Sequence, residues 1–449
     1  MSEILFKYEQ VAPTTWAYLS ALLTIALYFK FSRFWSVRNL DLVILMLLAP
    51  GLLLVQWGMD HGTERTGVLV NLSDRAKVIE HIGYIWLFAV NGCLLLRLLL
   101  DAAMVRRPLL EPNLSVGGLA FLGLSLFVFL MGNVITGTPY ESDLVVSQRA
   151  EQLQNREASE EEVDTLRTHG PGFPLIYLLP HISTQSLLGK EAKDVQRVPG
   201  IPTFSVSLGN VITAQVMAIL SQFFIVLGMV LIGLRHFDNV RAGIAAATLY
   251  LLLPYTAMWT GAVTHALPAA LLVWAVLLYR RPFLAGAMLG LAFGTIYYPL
   301  YLLPLWLTFY WQKGVVRFLL GFAAMVAVLV VTLAFTSSDM PMFVGCIKQM
   351  FGLQFPVAEH LRGAWQFWNT VYRYPIIAAF IGLSFSFIIW PPQKNLATLM
   401  SCSAALMLGT QFWHAHTGGG VALAWYLPLL LLTVFRPNLE DRVAASVVK

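Results

Sequence analysis

The chain has 449 residues, of which 58% are hydrophobic and only 12% charged, with a net charge of +5 at pH 7 and a mean hydropathy of +0.70. A soluble globular chain is about a quarter charged, so composition excludes an ordinary soluble domain. No basic block dense enough for a nucleic-acid partner is present, and the excess of Lys and Arg is expected to reflect membrane topology instead.

Apolar runs long enough to cross a bilayer begin early, at Thr15–Phe31, Leu40–Trp57, Ile82–Leu100 and Gly117–Thr136. None ends in a small-residue cleavage site and the N-terminus lacks a basic cluster, so no cleaved signal peptide is expected. A polar stretch from Gly137 to Thr203 follows. Further spans are expected near Ser205–Leu234, Gly243–Thr260, Ala262–Tyr279, Phe283–Tyr297, Tyr298–Trp311, Phe318–Phe335, Tyr374–Trp390, Leu396–Phe412 and Val421–Phe435. The two short runs flanking Tyr297-Tyr298-Pro299 go together and read equally as a hairpin that only partly crosses. The expectation is an all-α polytopic membrane protein with about 13 transmembrane helices. Residues 1–110 read as an N-terminal three-helix extension and 111–449 as the main transmembrane module.

Placing the N-terminus outside and the C-terminus in the cytoplasm puts Lys30, Arg33, Arg38, Arg97, Arg106, Arg107, Arg235, Arg241, Arg280, Arg281, Lys313, Arg317, Lys394, Arg436, Arg442 and Lys449 on the inside. That is the pattern left by the cost of moving cations across during insertion. Two long outer loops result, 137–203 and 336–373. In the first, Gln148–Arg167 reads as a solvated helix, and His169–Pro180 as a proline-punctuated segment lying along the membrane surface. The Gly132-Asn-Val-Ile-Thr136 string recurs at Gly209–Thr213 but is too short to be a repeat. Cys93, Cys346 and Cys402 show no metal-ligand spacing and read as small core residues.

No nucleotide, zincin or hydrolase motif occurs, so candidate chemistry rests on polar residues at membrane boundaries. Tyr140, Glu141 and Asp143 open the first outer loop. A carboxylate there can take a proton from an incoming hydroxyl, or simply be a water-facing cap. His265, after Thr264 in the tight outer turn from Trp259, suits a phosphate or hydroxyl contact. His414 and His416 form an HxH before a glycine run, and lack the local third ligand a metal needs. His360, Arg362 and Arg373, interleaved with Trp365, Trp368 and Tyr374 in the second loop, suit phosphate and sugar contacts or an interfacial aromatic belt.

From the fourth span onward the chain resembles the GT-C superfamily of polytopic glycosyltransferases, which use lipid-phosphate sugars, and is most similar to its mannosyltransferase-like branches. The resemblance rests on an acid early in a long outer loop (Glu141, Asp143) and the proline-aromatic stretch Pro171-Gly-Phe-Pro-Leu-Ile-Tyr177. It rests also on a span pair ending in the basic pair Arg280-Arg281, the small-residue run Phe283–Pro304, and Trp425-Tyr-Leu-Pro428 in the last span. The chain departs from the family pattern at Thr264-His265, where many members carry an acid or Arg, and at Thr295–Tyr298, where a Lys is usual. The first three spans have no counterpart in a minimal module.

The resemblance implies a GT-C-like bundle whose long outer loops carry short interfacial helices. It further implies transfer of a sugar from a polyprenyl-phosphate donor to a glycan, lipid or protein acceptor on the outer face of a bacterial inner membrane, with no separate cofactor and no metal. Asp143 would be the base, with Glu141 second. Tyr140, His265, His360, Arg362, Arg373, His414 and His416 would contact substrate. A transporter or flippase for a lipid-linked substrate, or a non-catalytic subunit of a membrane complex, are the alternative readings; charges avoid the span centres, which weighs against ion-coupled transport.

Overall fold

The computed structural model describes residues 11–62, 70–104, 110–155, 172–189, 195–197, 205–337, 339–353, 361, 363–414, 420–439 and 442–443. Among them the chain is helical apart from one two-stranded hairpin, β1 (Val195–Arg197) against β2 (Ser205–Ser207), antiparallel with Gln196 opposite Val206. The helices in order are α1 (Pro13–Tyr28), α2 (Val37–Met46), α3 (Leu48–Gly62), α4 (Val70–Leu100), α5 (Val116–Thr136), α6 (Glu141–Asn155), α7 (Gly172–Leu188), α8 (Leu208–Arg235), α9 (Val240–Leu252) and α10 (Pro254–Met258). They continue with α11 (Val263–Leu277), α12 (Pro282–Thr295), α13 (Leu303–Phe309), α14 (Val315–Thr336), α15 (Met340–Met350), α16 (Arg373–Ser386), α17 (Leu396–Gly409) and α18 (Leu427–Phe435).

Local chemistry explains many of the starts. The side chains of Ser36, Ser115, Ser207, Asn239 and Asp339 each accept a backbone N–H from the first turn of the helix they precede, satisfying a donor that has no partner inside the helix. Asn395 and Thr398 bond reciprocally at the start of α17. Every apolar run expected to span coincides with helix. Among the described residues, five helical stretches are long and apolar enough to cross a membrane: Val37–His61, Asp74–Ala103, Val116–Thr136, Leu208–Arg235 and Val315–Phe335. The others are shorter, because proline and turn residues divide them. Gly243–Thr260, expected as one span, is α9 and α10 separated at Leu253-Pro254.

Burial sorts the helices into two layers. All residues of α17 and α18 are buried, as is nearly all of α9 and α11. Around them, α5 and α14 present large apolar side chains outward. Phe121 is 75% exposed and Val128 62% on α5, Val316 65% and Phe335 71% on α14. Such faces are unfavourable in water and neutral against hydrocarbon, the property expected of an integral membrane protein. Small residues let backbones meet: a Cβ on Gly286 of α12 would overlap the Phe318 carbonyl, and one on Gly321 of α14 the Phe283 carbonyl, the close approach that membrane helices use.

The N-terminal helices are fastened to the rest at several depths. Trp16 donates to the Leu252 carbonyl at 3.0 Å, Tyr28 to that of Ala245 at 3.1 Å, and Tyr426 to Asn91 at 2.6 Å. At the end bearing the expected inside connections, Arg97 holds both oxygens of Asp41 at 2.7 and 3.0 Å and reaches Asp101 at 3.0 Å, while Arg436 binds Asp101 at 2.6 Å.

The first outer loop differs from expectation. Its helix begins at Glu141, not Gln148, and is one-sided: Asp143, Leu144, Val146, Ser147, Arg149 and Ala150 are all buried. Residues 156–167 of the expected solvated helix lie outside the described residues. The proline-punctuated stretch becomes α7, with Pro180 inside it, packed against α6 and α8.

Candidate active site at the start of the first outer loop

Asp143 lies in the first turn of α6, its backbone N–H bonded to the Tyr140 carbonyl at 3.0 Å. Its side chain is 0% exposed. One carboxylate oxygen accepts the N–H of Val263 at 3.1 Å, and the other accepts that of Thr264 at a longer 3.4 Å. These are the first residues of α11, whose own N-cap, Ala262, has no side-chain acceptor. Asp143 therefore caps a helix remote in sequence, where the positive end of the helix dipole favours its charge. Burial nevertheless outweighs those two bonds and pushes the Asp143 carboxyl up to about 7. A carboxylate offers about four lone-pair sites, so two N–H donors leave capacity for another proton.

Around this carboxylate the structure brings together residues from distant segments. Tyr140, half-buried, donates its hydroxyl to the Met258 carbonyl at 2.7 Å and stacks on Trp259, ring centres 5.4 Å apart. Trp259 in turn meets His265 at 5.2 Å. His265 is buried, and its Nδ1 shares a hydrogen bond of 2.8 Å with the Tyr255 hydroxyl. The Trp425 indole donates to the Thr264 carbonyl at 3.3 Å, and its ring meets those of His265, His414 and Tyr298 at 6.3, 5.2 and 5.3 Å. Tyr298 shares a hydrogen bond with Nδ1 of His414, which is 2% exposed. Arg373, 3% exposed, donates to the carbonyl of Trp413 at 2.7 Å.

Of the candidates from sequence, Asp143, Tyr140, His265, His414 and Arg373 thus belong to one continuous polar and aromatic layer. Glu141 does not: it is exposed on the outer face of α6. His360, Arg362 and His416 lie outside the described residues. Among the described residues no group of three or more His, Cys, Asp or Glu is gathered as a metal ion would need.

Several members of the layer escaped the sequence reading. Tyr298 and Trp425 were visible only as parts of aromatic-proline motifs, and Tyr255 as an ordinary aromatic. Tyr177 of α7, 0% exposed, lies close enough to Asp143 that burial and the neighbouring carboxylate together hold its phenol well above the usual range.

No family model, no curated protein and no solved structure matches this chain.

Proposed function

We propose that the protein is a GT-C-like membrane glycosyltransferase, moving a sugar from a polyprenyl-phosphate donor to an acceptor hydroxyl at the outer face of a bacterial inner membrane. The observation that carries this reading is the convergence of Asp143, Tyr140, His265, His414 and Arg373, drawn from separate segments, on one largely buried layer in a bundle whose outer helices expose apolar faces. An acid poised near neutrality is what a general base requires. Asp143 takes the acceptor proton as the hydroxyl oxygen attacks the sugar's anomeric carbon, and the lipid phosphate leaves with the bonding pair. Arg373 and the two histidines are the groups of the layer able to meet that phosphate. With Asp143 0% exposed, this reading requires the side chains that cover it to move before an acceptor can reach it.

About 13 spans, with the N-terminus outside, complete the reading: the shorter helices cross in pairs or tilted, and the basic connections gather on one side. One observation favours a second reading. Both oxygens of Asp143 already serve α11, the geometry of a structural cap, which suits a non-catalytic subunit of a membrane complex.

Asp143→Asn separates the two. The amide oxygen still accepts one of the two backbone N–H groups, at best the shorter bond from Val263, while the base is gone, and a thermal midpoint checks that the variant is folded. Glycosyl transfer from a polyprenyl-phosphate hexose by purified full-length protein is expected to fall by about 100-fold or more. Wild-type-like transfer in that variant, or no transfer by wild type with any such donor, removes the enzyme reading and leaves the cap.

A further inference from the structure

The N-terminal helices have no role in the reading above, yet the outer end of α4 is built into the loops that border the site. One side of α4 carries Glu80, Tyr84, Phe88 and Asn91, at helical spacing, with His81 beside the first. Glu80 is 7% exposed, and its carboxylate accepts the side-chain N–H of Gln366 at 2.7 Å. His81 stacks flat on Phe367, centres 4.9 Å apart and planes 8° from parallel. Phe88 packs on Trp368 at 4.9 Å and on Phe412 at 5.3 Å. The neighbouring Trp365 donates to the Phe412 carbonyl at 3.1 Å, so segment 363–368 is tied to the segment that ends in Trp413 and His414. A Cβ at Gly420, where φ is +86°, would touch Tyr84 and Phe88. One helix face therefore supports both chain segments from which Arg373 and His414 enter the layer.

We infer that α4 is a fixed wall of the site, and that Glu80 is the positioning residue which sets the second outer loop against His414. Among the described residues, its carboxylate bond to Gln366 is the side-chain hydrogen bond that α4 makes to segment 363–368, beside the ring contacts. Rings slide with little change in energy, whereas a hydrogen bond fixes distance and direction. Glu80 therefore supplies register, and the rings supply area. The claim that a site is being positioned rests on the glycosyltransferase reading; the mechanical claim does not.

The test is amide hydrogen exchange on the full chain in detergent, comparing wild type, Glu80→Ala, Glu80→Gln and Glu80→Met. Alanine removes the acceptor, while glutamine retains an oxygen for Gln366. In Glu80→Ala, exchange is expected to be about tenfold faster in 363–374 and 410–414, with α8 unchanged. Glu80→Gln should restore wild-type rates in both segments, whereas Glu80→Met, which keeps the bulk without the acceptor, should exchange as fast as alanine. Unchanged rates at 363–374 and 410–414 in Glu80→Ala overturn the proposal, as does acceleration spread equally into α8, or a Glu80→Gln variant as fast as alanine. Parallel transfer assays with the same polyprenyl-phosphate hexose keep the two ideas apart. Local loosening without any wild-type transfer sinks the enzyme reading alone, and transfer with no local loosening sinks the positioning role alone.

Discussion

A single carboxylate shows how far a side chain's role depends on its surroundings. In sequence Asp143 is an acid shortly after a span, two residues from Glu141, the second candidate. In the fold the two part company, because one helical turn of α6 sends Asp143 inward to the start of α11 and leaves Glu141 outside. Burial raises the Asp143 carboxyl from 3.8 to about 7. In that window the folded protein holds a proton that the unfolded chain has released, so its contribution to stability falls as pH rises from about 4 to about 7. Thermal midpoints of wild type are therefore expected to drop across that range relative to Asp143→Asn; parallel curves for the two proteins would show that the carboxyl is not raised. If Asp143 is the base, transfer should instead climb with pH through about 7 as the carboxylate forms. A rate flat between about pH 5.5 and 8.5 would contradict it.

Helix pairs are decided by what lies between them. α12 and α14 approach so closely that Gly286 and Gly321 face opposing backbone carbonyls. Gly321→Val is expected to destabilise the protein by about 1–3 kcal/mol through overpacking, seen as a lower thermal midpoint in detergent, while Gly382→Val on α16, where a Cβ meets nothing within 4 Å, should be nearly silent. Equal losses at both positions would mean that glycine acts through the backbone and not through close approach. The apolar run Phe283–Tyr297 was legible as a short span. Its partner was not, since nothing in the run itself distinguishes α14 from any other apolar helix. The α6 boundary was missed for a related reason: Glu, Ser and Gln suggested solvent, but the buried positions Val146, Ser147 and Ala150 are decided by contact with α7 and α8.

Across the whole molecule the N-terminal helices are bound into the bundle by charge as well as by packing. Asp101 is buried between Arg97 and Arg436, joining the end of α4 to the end of α18. Asp101→Ala would leave guanidinium groups buried beside a lost counter-charge and is expected to cost about 3–5 kcal/mol. Pairing Asp101→Leu with Arg436→Met should recover part of that loss, because removing both charges avoids an uncompensated one. Thermal unfolding of the single and double variants reads both outcomes; a double variant no better than Asp101→Ala would show that the charge pair is not what couples the two regions.

Hydropathy was enough to mark where the apolar helices lie, though not where proline divides them as at Leu253-Pro254, since the need to satisfy backbone groups in hydrocarbon acts on each segment separately. Residue types at segment ends likewise pointed to Asp143, His265, Arg373 and His414 as polar groups worth following. Their association was beyond the reach of the sequence, because Asp143 meets Val263 across 120 positions and Tyr298 meets His414 across 116. Which acid turns inward, which rings form the layer, and which face of α4 supports the outer loops depend on contacts between distant segments. Only the packed bundle, where side chains compete for one enclosed volume, decides them.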